Sequence, residues 1–204
     1  MKYTFLLCLF TGIFAFNATG QNKLLMLSSP EQKKEIRNTL TTYLSYTKTK
    51  EYSKILDFVH PKLFDVVSRQ AILDQFEAME SDESMQITFG DALIKDISDL
   101  VRVGQRYFSL VFYQFEMTMT FNDKSMAPVM KDAFVSTFGE GNVKIDEAKG
   151  AVNVITHKSL FAIKEPELKG WKVIENNPEQ RFILEAILPT EVIEHYKTYY
   201  PNDN

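Results

Sequence analysis

The hydrophobic period of this chain first changes near Met85, from helical to two, and that change limits what it can fold into more than any other feature. Before it, apolar residues recur every three or four positions, the spacing of helices packed by one face. Ser29 as N-cap, Pro30 in the first turn and Gln32 at the capping-box position predict a helix over 30–47. Its inward face carries Ile36, Leu40, Tyr43, Leu44 and Thr47. A second pattern through Tyr52, Ile55, Leu56 and Val59 is stopped by His60-Pro61, because the residue before proline disfavours the helical region. A short turn or helix follows over 62–67. Ser68 then caps a third helix, 69–80, with Ile72, Leu73, Phe76 and Met79 facing inward.

From Met85 the period is two, with Met85, Ile87 and Phe89 on one side and Gln86 and Thr88 on the other. Gly90-Asp91 interrupts the run and 93–97 resumes it, which predicts a bulged or bent strand. After a turn near Gly104 comes a long strand, 105–121. Its odd positions, from Tyr107 and Val111 through Tyr113 and Phe115 to Phe121, stay apolar or aromatic. Its even positions change from Phe108, Leu110 and Phe112 to Gln114, Glu116, Thr118 and Thr120, so one half is covered on both faces and the other has a wet or pocket-facing side. A helix is expected over 127–138 (Met130, Phe134, Phe138), ended by Gly139-Glu140-Gly141. A short strand at 143–146 and a turn at Lys149-Gly150 lead to a hairpin of 151–164 with 171–175. A helical turn over 178–184 and a last helix over 191–199, capped by Thr190, complete the pattern. The implied class is α+β.

Residues 1–20 read as a secretory signal peptide: Lys2, an apolar run from Tyr3 to Phe16, then Asn17-Ala18-Thr19-Gly20 with Ala18 and Gly20 at the cleavage positions. The expected address is periplasmic or extracellular. The signal contains Cys8, the only cysteine, so the exported chain has no disulfide framework and must be held by packing. An arm at 21–29, a single domain at 30–199 and a loose tail at 200–204 make up the rest, too little for two full cores. The net charge of −4, one unit more negative without Lys2, and the lack of a basic stripe argue against nucleic acid as partner. No 18-residue apolar run follows the signal, so no transmembrane span is expected after cleavage.

The order of elements, with Leu40-Thr41-Thr42-Tyr43-Leu44, Tyr52, Ile55-Leu56-Asp57-Phe58-Val59-His60-Pro61 and Trp171-Lys172-Val173-Ile174-Glu175, resembles the nuclear-transport-factor-2-like superfamily. The resemblance covers about 30–176 and implies an exported bacterial member. It implies a strongly curved antiparallel sheet wrapped around an N-terminal helical layer, here with an inserted helix and C-terminal helices. It also implies a homodimer through the open sheet face. Members of the superfamily include isomerases and dehydratases as well as domains that only bind, so the fold leaves function open.

The three histidines lie far apart, and there is no H-E-x-x-H or paired-cysteine spacing, no G-x-S-x-G elbow and no complete dinucleotide loop. No metal and no cofactor is implied. Acid–base work in an apolar cavity would use Asp91 or Glu116 as base and Tyr43 or Tyr113 as electrophilic donor. Asp91 beside Gly90 more often reads as a bulge residue, Glu116 as a solvated strand position, and the two tyrosines most simply as core residues with a hydroxyl at the rim. Tyr43, Tyr113, His157 and Trp171 are the candidate ligand contacts. His157 shares a strand face with Ile155, Phe161 and Ile163 and more often reads as a partly buried residue bonded to a backbone carbonyl; Trp171 more often reads as a hairpin's packing anchor. Two functions follow. The favoured one is an exported non-catalytic binding domain with an apolar pocket for a small amphipathic ligand, or a rim that engages an envelope partner. The alternative is a cofactor-free isomerase or hydro-lyase.

Overall fold

The computed structural model describes residues 24–197; residues 1–20, read as a signal peptide and containing Cys8, and the tail at 200–204 lie outside the described residues. The chain is an α+β protein with seven α-helices and one unclosed, seven-stranded antiparallel sheet among the described residues. The expected class, curved sheet, N-terminal helical layer, inserted helix and C-terminal helices are those found.

Helix α1 spans Pro30–Lys48 and starts as the sequence dictates: the Ser29 hydroxyl accepts from the Gln32 amide at 3.4 Å. Its buried stripe is Ile36, Leu40 and Leu44. Helix α2, Tyr52–Phe58, stops where Val59 turns extended before His60-Pro61. Val59 then bridges Val173, and the His60 amide donates to the Val173 carbonyl at 2.9 Å, which ties the helical layer to the last strand. A 3-10 turn, Pro61–Asp65, leads to α3, Arg69–Glu80, capped by Ser68 at 3.1 Å.

Helix α3 departs from expectation in packing. No residue on it is fully buried, and Ile72, Leu73, Phe76 and Met79 are only half-buried. The reason is its neighbour: α3 packs on α2 rather than on the sheet, with Phe76 stacked on Tyr52 at 4.1 Å and Glu80 joined to Lys50 at 2.6 Å.

The sheet is built around two long strands, β4 (Arg106–Phe121) and β6 (Ala151–Lys164), paired along almost their whole length. Strand β2 (Met85–Ile97) pairs with the later part of β4, and its register breaks between Phe89 and Ala92 and again between Ile94 and Asp96. The bulge expected at Gly90-Asp91 is therefore present, and a second follows; each bends the strand. Strands β1 (Leu25–Leu27) and β3 (Leu100–Val103) went unread in the sequence, being three and four residues long. The apolar arm forms β1, which pairs with β3, and β3 turns into β4 at Gly104, φ +62°. Strands β5 (Val143–Asp146) and β7 (Lys172–Glu175) share the other side of β6.

Side-chain alternation assigns each sheet face a cover. On one face, Val111 and Tyr113 of β4 with Leu160 and Ala162 of β6 pack under α1, together with Trp171 and Val173. Farther along that face, Met119, Val152 and Val154 lie under α4 (Met126–Val129) and α5 (Lys131–Phe138). The expected single helix over 127–138 is thus two short ones meeting at Met130. On the opposite face, Phe108, Leu110, Phe161 and Ile163 are covered by α6 (Arg181–Ile187) and α7 (Thr190–Tyr196). The N-cap of α7 is Pro189; Thr190, read as the cap, is its first helical residue. Residues Gln114, Glu116, Thr118 and Asn153 continue that second face as a polar surface beyond α6 and α7.

Gly150 shows where the backbone demands one residue type. Its φ is +67°, and a Cβ there would lie 2.6 Å from the Lys124 Cα. Gly150→Ala should cost about 2 kcal/mol or more, from left-handed strain and from moving backbone. Urea denaturation measures it, and a loss below ~0.5 kcal/mol would contradict this account.

Candidate functional site

The titratable groups that meet are not the pairs read from the sequence. Tyr113, inward on β4, donates to Glu175 Oε1 at 2.5 Å, and Tyr43 of α1 is near enough for its hydroxyl to lower the Glu175 pKa. Glu175 ends β7 opposite Leu160, so it points to the α1 side of the sheet. Burial pushes the Glu175 carboxyl up; the two hydroxyls and the charge of Lys158 draw it partly back. Burial, and then the Glu175 charge, raise both tyrosines. Phe58 sits edge-on to Tyr43 and Phe115 is stacked beside Tyr113, which walls this cluster with apolar surface. Chemically it is a carboxyl that burial pushes toward its neutral form and phenol donors pull back toward the carboxylate. Glu175 was missed, although period two puts it on the same side as Trp171 and Val173, the inward residues of its strand.

The other sequence candidates stand apart from this cluster. Asp91 is exposed at the bulge and paired with Lys48 at 2.6 Å, which holds its carboxyl below the usual range. Glu116 is exposed on the polar face, with Gly90 packed against its Cβ side. His157, read as one of an apolar face and as partly buried, is exposed, and its Nε2 lies 3.3 Å from Asn142 Oδ1. The reason is that α6 and α7 cover Phe161 and Ile163 but end short of His157. Trp171 is buried to 4% exposure and donates from its indole nitrogen to Glu35 at 3.0 Å, with Lys164 over its ring.

Two open grooves indent the surface. One, about 350 Å³, runs between α1 and β2 and is lined by Arg37, Thr41, Leu44 and Lys48 on the helix and by 90–94 on the strand. The other, about 320 Å³, lies between the end of α3 and the start of β2, with Glu80, Asp82 and Glu83 on its wall. Neither is lined by Tyr43, Tyr113 or Glu175. Among the described residues no group of histidine, cysteine, aspartate or glutamate is arranged to hold a metal ion, and no helix is long and apolar enough to cross a membrane.

A second buried polar group lies under the 165–170 turn. His60 is 1% exposed; its Nδ1 accepts from the Lys62 amide at 3.4 Å, so in the neutral ring the proton sits on Nε2, 3.4 Å from Glu165 Oε1. Arg106 binds the same carboxylate, its Nε at 2.6 Å, and donates from Nη2 to the Ile187 carbonyl at 2.8 Å. Burial lowers the His60 pKa against the opposing pull of Glu165. In the sequence His60 reads only as a helix stop.

These two clusters give the stability a two-sided pH dependence. His60 has a folded-state pKa below its usual 6.5, so the stability it confers is full above that value and is lost as the pH falls through it toward the folded pKa. Glu175 has a folded-state pKa above its usual 4.5, so its contribution is full below that value and is lost as the pH rises through the folded pKa. Thermal unfolding of the parent, His60→Gln and Glu175→Gln chains at pH 4 to 8 checks both signs. Glu175→Gln should flatten the decline on the alkaline side and His60→Gln the decline on the acid side.

The chain matches no known family model, no curated protein and no solved structure. What its own fold and site define is an α+β protein that carries helices on both faces of one antiparallel sheet and a carboxyl–tyrosine cluster under the N-terminal layer.

Proposed function

We propose that this chain is an exported, non-catalytic binding domain of the nuclear-transport-factor-2-like kind, periplasmic or extracellular, that engages its ligand at the rim between α1 and β2. The supporting observation is the open groove there, with Leu44 and Ile94 in its floor and Arg37 and Lys48 on its helical wall. The space between α1 and the sheet argues the same way, since Tyr43, Tyr113 and their aromatic neighbours pack on one another and on Glu175. An open groove suits a partner laid across the rim better than a small molecule enclosed between α1 and the sheet. Homodimerisation through the sheet face is less favoured. Intramolecular helices occupy the apolar half of that face and the rest is polar. Native mass spectrometry of the protein isolated from the cells that make it tests the reading. A stoichiometric second chain or a retained small molecule is expected, and a bare monomer would count against it.

A second reading is favoured by one observation, the half-buried Glu175 carboxyl that accepts from the Tyr113 hydroxyl beside Tyr43. It is cofactor-free acid–base catalysis, with Glu175 rather than Asp91 or Glu116 as the proton-transferring group. Turnover of any carbonyl or hydroxy-acid substrate by the parent and its loss in Glu175→Gln, with folding retained, would establish it and displace the binding-domain reading.

A further inference from the structure

We propose that the free edge of β2, beside α1, takes up an extended segment of a partner protein as an added strand, with an acidic side chain of that segment on Arg37. This deepens the binding-domain reading and rests on it.

Four observations carry the inference. The first is the edge itself. Strand β2 is 13 residues long and pairs with β4 on one side; among the described residues no strand lies on its other side. An edge of that length presents a row of backbone donors and acceptors that a strand of another chain can satisfy. The second is the groove along it. Lys33 joins Asp99 at 2.8 Å and Lys48 joins Asp91 at 2.6 Å, so α1 runs antiparallel to β2 and flanks the edge as a wall. From Arg37 to Lys48 that wall is about 16 Å long, the length of about five extended residues.

The third observation is an apolar residue left outside. Leu93 is 52% exposed beside the edge, on the sheet face it shares with Gln114 and away from α1. An added strand that alternates apolar and polar residues would cover it with every second side chain. The fourth is charge. The Lys48 ammonium is already paired with Asp91, whereas the Arg37 guanidinium has no ion-pair partner among the described residues. A carboxylate on the incoming segment would complement it with paired donors. Two bulges and the charges of Asp91, Lys95 and Asp96 keep the edge from indiscriminate pairing, so selection falls to the groove.

The test is panning of a random heptapeptide display library on the chain, then titration of the synthetic enriched peptide into isotope-labelled protein observed by NMR. The expected peptide alternates apolar and polar residues and contains an acid. It shifts the amides of 90–95 and slows their hydrogen exchange. Its affinity falls about ten-fold or more in both Arg37→Glu and Leu93→Asp. Both side chains are on the surface, so both variants should keep the parent's unfolding temperature, and circular dichroism verifies it. No enriched peptide, or shifts that map away from β2, or affinity unchanged in both variants would overturn the proposal. A dimer of this chain that Leu93→Asp dissociates would overturn it as well, by giving the edge to a second copy. If these fail while native mass spectrometry shows a bound molecule, strand addition alone is lost. Turnover that depends on Glu175 would remove the binding-domain reading itself.

Discussion

Replacing Tyr196 with alanine is expected to destabilise the protein by about 4 kcal/mol. Tyr196 is fully buried on α7, with its ring edge-on to Phe161 at 5.6 Å. Its truncation removes a large aromatic contact and leaves a cavity in the cluster that joins α6 and α7 to the sheet. Its hydroxyl adds a separate contribution: it donates to the Asp99 carbonyl at 2.9 Å, and the Ser98 hydroxyl, 3.2 Å from that of Ser109, lies 3.3 Å from it. Tyr196→Phe keeps the ring and removes only that link, so it should cost about 1–2 kcal/mol. Urea denaturation of both variants separates packing from hydrogen bonding. A Tyr196→Ala loss no larger than that of Tyr196→Phe would mean that α7 adds little to the core.

Arg106→Met is expected to cost about 3 kcal/mol near neutral pH and less in mild acid. The methionine retains most of the side-chain stem but removes both the Glu165 pairing and the bond to the Ile187 carbonyl at the end of α6. It leaves the Glu165 carboxylate, 13% exposed, facing His60 alone. The Arg106 charge lowers the His60 pKa and the Glu165 charge raises it, so removing the arginine lets His60 take up a proton at higher pH. A protonated His60 then replaces part of the lost pairing. The loss in unfolding free energy should therefore shrink between pH 8 and pH 5.5. A deficit that is constant over that interval would show that His60 and Glu165 are not coupled.

The helices and most strands were legible because their signals are local. Ser29 and Ser68 cap helices where the sequence places them, and the break of period at Gly90-Asp91 is the observed bulge. The strand 151–164 and the start and end of α3 coincide with expectation. Strands β1 and β3 are too short to show a period, and β3 exists because its flanking partners, β1 and β4, are brought to it. The packing of α3 on α2 is equally invisible in an amphipathic pattern, which says that a face is apolar and not what covers it.

Of the candidate site, Tyr43 and Tyr113 were legible as inward tyrosines, yet their common partner was not. Asp91 and Glu116 drew the reading because they interrupt or adjoin apolar runs, and both proved exposed. Glu175 carried a signal that period two exposes, an acid in step with Trp171 and Val173. His60 before proline has a sufficient local explanation, which concealed its burial against Glu165.

The sequence alone determined the class, the order of the longer elements and the ends of the first three helices, because caps, breakers and hydrophobic periods act over a few residues. Only the tertiary structure decided which side chains meet. Tyr113 and Glu175 are 62 positions apart, and Arg106 and Glu165 are 59 apart. Such pairs are set by the register of β4 on β6 and of β6 on β7, and by the seat of α1 and α2 on the sheet. Those depend on the fit of the whole core, a property of packing that no local pattern contains.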